Sequence, residues 1–250
     1  MLAYSVLTVL LFSGCYLDTP PADPDTTSKF LVALLDDPNP EVRRTAAEAL
    51  GKVGASLPRE VLVRTLSDPD PRVREAGVIA MGRLSASAGD PTALVRALKD
   101  TAVPVKRAAA RSLGEWNEVP SMDEALVRLL KDPETTTRRA AIQALLQVEM
   151  PGVFSQVTLA AKDPDAEVRQ GAVATLGEWW GAKAIPILRD RLVHDEAAGV
   201  RAEAAYQLGK IGDDRLVKEL RRAAETDKDE AVRRWAQWAS SQLMPPSGSG

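Results

Sequence analysis

Basic residues that recur at a fixed interval, each with its own aspartate, are the part of this sequence most able to do chemistry. Successive basic residues are 31 or 32 positions apart, and an aspartate stands six positions before each. The basic residues are Arg43, Arg74, Lys106, Arg138, Arg169, Arg201 and Arg233, and the aspartates are Asp37, Asp68, Asp100, Asp132, Asp163, Asp195 and Asp227. This Arg/Asp ladder is a candidate phosphate site. Its regularity instead favours charge-assisted hydrogen bonds that tie each inter-helix loop to its neighbour.

Residues for metal or nucleophilic catalysis are scarce. His194 is the only histidine and Cys15 the only cysteine, which excludes a multi-histidine metal centre, a disulfide framework and a zinc site built on several thiolates. The sequence contains no Ser-His-Asp constellation, phosphate loop or glycine-rich nucleotide motif. We therefore expect a protein that is not an enzyme, with no catalytic residue, no metal and no cofactor.

The composition limits the class of partner. Hydrophobic residues make up 45% of the 250 positions and charged residues 27%, which is the profile of a soluble folded protein. The formal net charge is only -3, and it removes the main electrostatic argument for a dedicated nucleic-acid binder. We therefore expect a protein partner and no nucleic acid.

Cys15 is a candidate lipidation site. The apolar run at residues 6–12 is too short to span a bilayer, which takes about 20 residues, and it ends in small residues like a secretory signal. Phe12-Ser13-Gly14-Cys15 resembles the lipobox of bacterial lipoproteins, and that resemblance implies cleavage before Cys15 and a lipid anchor on its sulfur. A signal peptide without lipidation and the hydrophobic tail of a cytosolic protein are the other interpretations.

The ladder is part of a sequence motif that is repeated seven times. Each unit predicts two short helices: the first ends at Asp or Asp-Pro, since proline cannot continue a helix. The second carries apolar residues four apart on one face, such as Val42, Ala46 and Leu50. Asp70-Pro71 and Asn39-Pro40 are predicted N-caps followed by the first helical residue. A glycine follows the last leucine or methionine in five units, where it permits a left-handed C-cap.

Asp-Pro, Val-Arg, Ala-Ala and Ala-Leu-Gly at this period resemble the HEAT-like repeats of the phycobilisome-lyase type. A pair of helices cannot enclose a core alone, so the units must stack. The resemblance implies an all-α fold, a right-handed α-solenoid of about seven HEAT-like helix pairs with the second helices on the inner surface. The predicted organisation is a signal peptide at 1–14, a lipidated Cys15 and Pro-rich tether at 15–28, the solenoid at 29–243 and a flexible tail at 244–250.

A binding surface is predicted on the second helices. Positions one, five and nine beyond each ladder basic residue form one stripe, offset from the apolar face, and we call it the inner stripe. It carries eight basic and four acidic residues in a chain that is acidic overall. Because arginine and aromatic side chains anchor protein interfaces, its predicted partner-binding residues are Arg44, Arg83, Arg107, Arg111, Arg139, Tyr206, Arg234 and Trp238. Three other tryptophans have predicted structural roles: Trp116 and Trp179 in the core, and Trp235 as a cap on the last repeat.

The leading functional hypothesis is a non-catalytic interaction scaffold or adaptor of a bacterial envelope complex. It would be lipid-anchored to a membrane on the periplasmic or outer-membrane side, and would bind a protein partner with an acidic patch. Two alternatives are a lyase-like or ligand-modifying HEAT-repeat protein, and a purely structural subunit of an envelope machine. A stoichiometric protein partner would favour a scaffold or structural subunit, whereas a small molecule carried through purification would favour the lyase-like alternative.

Overall fold

The computed structural model describes residues 24–53, 59–84, 91–116 and 122–243, and all the regular structure in these ranges is helical. Fourteen α-helices alternate in pairs. The first helices of the pairs are α1 (Pro24–Ala33), α3 (Arg59–Thr65), α5 (Pro91–Ala97), α7 (Met122–Leu129), α9 (Phe154–Ala160), α11 (Ile185–His194) and α13 (Val217–Thr226). The second helices are α2 (Pro40–Val53), α4 (Pro71–Gly82), α6 (Val103–Leu113), α8 (Thr135–Gln147), α10 (Ala166–Trp180), α12 (Ala198–Ile211) and α14 (Glu230–Gln242). The predicted α-solenoid of seven helix pairs is confirmed.

The starts of the second helices follow the predicted cap chemistry. The carboxylate of Asp70 accepts a hydrogen bond from the backbone N–H of Arg72, and Pro71 is the first residue of α4. The side chain of Asn39 does the same for the N–H of Glu41. Asp165 and Asp229 each accept from the two N–H groups that open α10 and α14. These side chains satisfy donors that have no partner inside the helix.

One continuous core runs through the stack. The leucine or methionine seven positions beyond each ladder residue is almost fully buried in six repeats, at Leu50, Met81, Leu113, Leu145, Leu176 and Leu208. Alanines fill the space between them, with Ala46, Ala109, Ala141, Ala172 and Ala204 all inaccessible to solvent. Small side chains let the helices approach closely, and the leucines supply most of the apolar area removed from water.

Consecutive second helices pack directly against each other from α2 to α14, whereas each first helix packs mainly on the second helix of its own repeat. A stack curves toward its more closely packed layer. The second helices therefore lie on the inner side and the first helices on the outer side, as the HEAT resemblance implies.

The expectation that glycine ends these helices as a left-handed C-cap is wrong. Gly51 and Gly177 lie inside α2 and α10, and the only described glycines with positive φ are Gly181 and Gly212. A Cβ on Gly51 would lie 2.6 Å from the Cβ of Ala80 and 2.7 Å from its Cα. Glycine stands here because the next second helix passes too close for any side chain.

Residues 24–28, predicted as part of the tether at 15–28, are helical. Helix α1 begins at Pro24, because the fixed φ of proline suits the first position of a helix. Residues 24–28 therefore belong to the solenoid. The signal peptide at 1–14, Cys15 and the tail at 244–250 lie outside the described residues.

Candidate functional site

The Arg/Asp ladder joins successive repeats, and Arg169 shows how. Its Nη1 donates to the backbone carbonyls of Asp163, 2.9 Å away, and Pro164, 3.0 Å away, in its own repeat. Its Nε and Nη2 donate to both carboxylate oxygens of Asp195, at 2.8 and 2.9 Å. Asp195 belongs to the next repeat. A single guanidinium therefore fixes its own inter-helix loop and binds the loop of its neighbour.

The same geometry recurs along the stack. Side-chain pairs between successive repeats, with closest distances of 2.5 to 2.8 Å, are Arg43–Asp68, Arg74–Asp100, Lys106–Asp132, Arg138–Asp163 and Arg201–Asp227. Each aspartate also accepts the backbone N–H two residues on, as Asp195 does from Ala197. The predicted structural role is confirmed. The paired aspartate is that of the following repeat, and the arginine contacts its own repeat through backbone carbonyls.

The pKa values of four ladder aspartates, Asp68, Asp100, Asp195 and Asp227, are lowered, which favours their ionised form. Burial by itself would raise the pKa of Asp195, but hydrogen bonds from Arg169 and from the N–H of Ala197 outweigh it and the pKa is lowered. The pKa of Asp227 is lowered chiefly by its hydrogen bonds from Arg201. Six of the seven ladder cations use their donors in these inter-repeat pairs, which makes them poor phosphate ligands. Arg233, in the last repeat, donates from Nη1 to the carbonyl of Asp227.

The inner stripe lies where it was predicted. Apart from Ala174, which is buried, every residue of the stripe keeps exposed surface. The third residue in each repeat, from Lys52 to Gln242, is exposed throughout. Since the second helices form the inner layer, this surface is a continuous strip along the inside of the solenoid.

Several of the predicted partner-binding arginines have partners within the chain. Arg44 pairs with Glu41 at 3.0 Å and with Glu48. Arg234, which is exposed, pairs with Glu230. These intrahelical pairs are solvent-accessible and open easily, so Arg44 and Arg234 stay usable by a partner.

Arg139 is a different case. Its Nε and Nη2 donate to the carboxylate of Asp165 at 2.8 and 2.5 Å, and its Nη1 lies 2.8 Å from Glu167. Only 33% of its side chain is exposed. Arg139 was predicted to bind a partner, but its guanidinium is already held within the fold, because the start of α10 presents two carboxylates to it. Arg139 joins two repeats, like the ladder arginines.

The other predicted partner-binding arginines of the inner stripe are Arg83, Arg107 and Arg111. They line a groove of about 220 Å³ between α4 and α6, together with Ile79, Glu75 and Glu115. Arg83 and Arg111 are exposed and Arg107 is half-buried. The Nε of Arg107 is buried and has no hydrogen-bond acceptor. The stripe therefore holds one place where neighbouring guanidinium groups keep their donors unused within the described ranges.

A second feature is an aromatic cluster formed by Tyr206 and Trp238 of the inner stripe with Trp235, which adjoins the stripe on α14. The ring of Tyr206 stacks on Trp238 at 5.4 Å and meets Trp235 edge-on at 5.1 Å, and the two indoles are 5.7 Å apart. Trp235 is 42% exposed. It was expected to cap the open end of the stack, but it packs back onto α12 because its position on α14 faces the preceding repeat. The repeat alignment, which places small residues at that position in other units, could have revealed this.

The predicted core position is confirmed for Trp116, whereas Trp179 lies outside the core cluster. Trp116 is buried, and its indole N–H donates to the carbonyl of Gly82 at 3.4 Å. Trp179 is half-buried and donates to the carbonyl of Leu145 at 3.2 Å. Both acceptors lie near the end of the preceding second helix. These indoles therefore satisfy the free carbonyl ends of neighbouring helices.

Within residues 24–53, 59–84, 91–116 and 122–243, no three His, Cys, Asp or Glu side chains are grouped as metal ligands would be. In the same ranges, no helix combines the length and apolar character needed to cross a bilayer.

Known proteins share the repeat architecture. Epoxyqueuosine reductase of Bacillus subtilis is 33% identical over 66 residues, which are 26% of this chain and 17% of that enzyme. Among solved structures, YibA of Escherichia coli has a TM-score of 0.62 at 20% identity and covers 91% of this chain and 88% of its own. The complex of CpcE and CpcF of phycocyanin lyase from Nostoc has a TM-score of 0.55 at 18% identity, covering 93% and 98%.

The structural likenesses, at these identities, concern the fold alone. The family model described as HEAT repeats matches residues 27–113, 91–158 and 154–241. These matches overlap and extend over nearly all of the described solenoid. With the ladder, the paired helices and the stacked second helices, they establish that this chain belongs to the HEAT-repeat family.

Proposed function

We propose that this protein is a non-catalytic interaction scaffold that binds a partner protein along the inner stripe. The observation that carries the proposal is the aromatic cluster of Tyr206, Trp235 and Trp238 on the inner surface. Rigid aromatic side chains give a large contact area at small entropic cost, and they are enriched among the residues that dominate binding energy. The aromatic cluster lies at one end of the inner stripe, and the groove lined by Arg83, Arg107 and Arg111 lies toward the other end. This arrangement suits a long ligand.

The experiment is site-specific photo-crosslinking in cells, followed by mass spectrometry. A photoreactive residue at Gln143, which is exposed on the stripe, should capture a stoichiometric protein. The same residue at Leu159, which is 64% exposed on the outer helix α9, is the matched control. Capture at Leu159 alone would remove the inner-surface proposal.

The proposed location is a bacterial envelope membrane, with a lipid on Cys15 as the anchor. The proposal rests on the Ser13-Gly14-Cys15 junction after a short apolar run. Two acyl chains hold a protein on a bilayer far more firmly than one. Intact mass and membrane fractionation of the wild type and of Cys15→Ala test it. Membrane association of Cys15→Ala equal to that of the wild type, with no acyl mass on the wild type, would contradict the anchor.

A lyase-like or ligand-modifying protein is the second candidate. It is favoured by the open groove of about 600 Å³ beside Trp235 and Trp238, which is large enough for a small organic ligand. Native mass spectrometry of protein purified from its own cells separates the two candidates. A bound small molecule, in place of a captured protein, would favour this second function.

A further inference from the structure

The groove between α4 and α6 differs from the rest of the inner stripe in its free charge. Elsewhere on the stripe, guanidinium groups are paired: Arg44 with glutamates of its own helix, Arg139 with Asp165 and Glu167, and Arg234 with Glu230. Within the described part of the chain, Arg83, Arg107 and Arg111 have no such ion pair. The groove is therefore where an incoming anion would displace no internal salt bridge.

The buried Nε of Arg107 is a second, independent sign of a ligand. It has no acceptor among the described residues, and a buried donor without an acceptor costs free energy because it has lost its hydrogen bonds to water. An oxygen atom placed in the groove would remove that cost. Arginine offers its donors in a planar fork that matches a carboxylate with two parallel hydrogen bonds.

The surroundings limit which anion fits. Ile79, which is 39% exposed, and Ala108 give the groove an apolar wall. Glu75, in the first turns of α4, and Glu115, just beyond the end of α6, lie at opposite ends of the groove by helix register. They repel a continuous polyanion such as a nucleic acid or a charged membrane surface, yet they leave the centre open to isolated carboxylates beside apolar atoms.

We infer that the groove formed by Arg83, Arg107 and Arg111 binds an acidic segment of a partner protein, with glutamate or aspartate side chains interspersed with apolar ones. This inference rests on the proposed function and names the chemistry of the partner at this part of the stripe. One partner carboxylate lies between Arg107 and Arg111. An apolar neighbour of that carboxylate packs on Ile79, and Arg83 contacts a second acidic group along the segment.

The test is a fluorescence anisotropy titration of the full chain with a labelled synthetic peptide in which glutamates alternate with leucine and alanine. Its control is the same peptide with glutamine for glutamate. The groove variant is Arg107→Gln with Arg111→Gln. The control variant is Arg128→Gln with Lys131→Gln, which removes the same charge from exposed positions at and after the end of the outer helix α7.

The groove variant should lose at least about tenfold in affinity, because glutamine replaces two charged guanidinium forks with neutral, weaker donors. The control variant and the wild type should bind alike, and the glutamine peptide should bind neither. Equal loss in both variants, equal binding of the two peptides, or stronger binding to vesicles of anionic lipid than to the peptide would each overturn the inference.

The acidic, proline-containing stretch at residues 18–25 of this chain would compete with a partner for the groove if it bound there. If Asp18→Asn with Asp23→Asn tightens peptide binding, the groove is filled by its own chain, and the assignment to a partner is wrong. Failure here leaves the scaffold proposal intact as long as Gln143 still captures a protein in cells. Loss of that capture would instead remove the proposed function.

Discussion

Arg169 and Asp195 belong to different repeats and yet form a bidentate ion pair that is almost wholly buried. The side chain of Arg169 is 7% exposed and that of Asp195 is 1% exposed. Removing one partner of a buried pair leaves the other charge without compensation, which costs about 3–5 kcal/mol. We therefore expect Arg169→Ala to destabilise the central repeats by about 3 kcal/mol in urea or thermal unfolding, the lower end of that range because Arg191 remains 3.2 Å from Asp195. Arg111→Ala, on an exposed position with no partner among the described residues, should change stability by less than about 0.5 kcal/mol, and equal shifts would contradict the assignment.

Arg139→Ala should fall between those two. Arg139 bonds Asp165 and lies beside Glu167, but it keeps a third of its side chain in solvent, where water screens the charges. We expect a loss of about 1 kcal/mol. The double variant Arg139→Ala with Asp165→Asn should lose less than the sum of its single variants, because the interaction between the two side chains can be lost only once. Asn at position 165 still caps α10. Strict additivity would mean that the two side chains do not interact.

Gly51→Ala should destabilise the contact between α2 and α4. The new Cβ would lie 2.7 Å from the Cα of Ala80, and backbone cannot move aside as a flexible side chain can, so a cost of about 1–3 kcal/mol is expected. The matched control is Gly152→Ala, whose Cβ would meet no atom within 4 Å. A destabilisation at Gly152 as large as that at Gly51 would show that close packing is not the reason for the glycine.

Stability should fall as the pH drops below about 4. The pKa values of Asp68, Asp100, Asp195 and Asp227 are lowered in the fold from 3.8, so the unfolded chain takes up protons first as the pH falls. This contribution is present above the unfolded pKa and is lost as the pH falls through the folded values. Unfolding free energies measured between pH 6 and pH 2 check it, and a flat profile would contradict it.

The N-cap residue Asp70 allows a more specific test of the pH dependence of stability. Hydrogen bonds from the side chain and backbone of Arg72 lower the pKa of Asp70 to about 2. Asp70→Asn keeps an N-cap without a titrating group. Its stability at neutral pH should stay near that of the wild type, while its decline between pH 4 and pH 2 should be shallower. A decline as steep as that of the wild type would exclude Asp70 from the transition.

Trp235→Ala should weaken binding of the captured partner, chiefly by raising the dissociation rate constant. Trp235 is the most exposed ring of the aromatic cluster, and buried aromatic contacts hold a complex after it has formed. Surface plasmon resonance gives both rate constants. The control is Leu159→Ala on the outer surface, which should change neither, and an unchanged dissociation rate for Trp235→Ala would remove the cluster from the interface.

The sequence predicts the architecture well, because the same constraints are repeated seven times. The period locates the helix pairs, and Asp70-Pro71 locates a helix start to the residue. It fails where the answer depends on what lies in the adjacent repeat. The roles of Gly51 and Arg139 depend on residues of the following repeat: Ala80 for the glycine, and Asp165 and Glu167 for the arginine. The spacing of residues along one repeat carries no information about the distance between successive repeats.

The candidate site is predicted only in outline. Helical register alone puts the stripe on one face, but whether an arginine is free or paired depends on the direction of a long side chain. Arg107 and Arg139 occupy equivalent positions in successive repeats. One has a buried nitrogen without an acceptor, and the other is held by two carboxylates.

The unequal packing of the two layers has a mechanical consequence. The inner layer is fixed at the ladder by ion pairs near the starts of the second helices and, toward their other ends, by contacts as close as Gly51 against Ala80. The described first helices are linked to one another by fewer and more exposed ion pairs, such as Arg189 with Glu219 and Arg64 with Asp36, and the contacts between them are fewer than those between second helices. We expect the array to resist stretching along its inner face. It should bend when the outer helices separate or approach each other, while the inner layer keeps its length. A partner could then change the curvature of the solenoid while the spacing of its own binding residues stays constant.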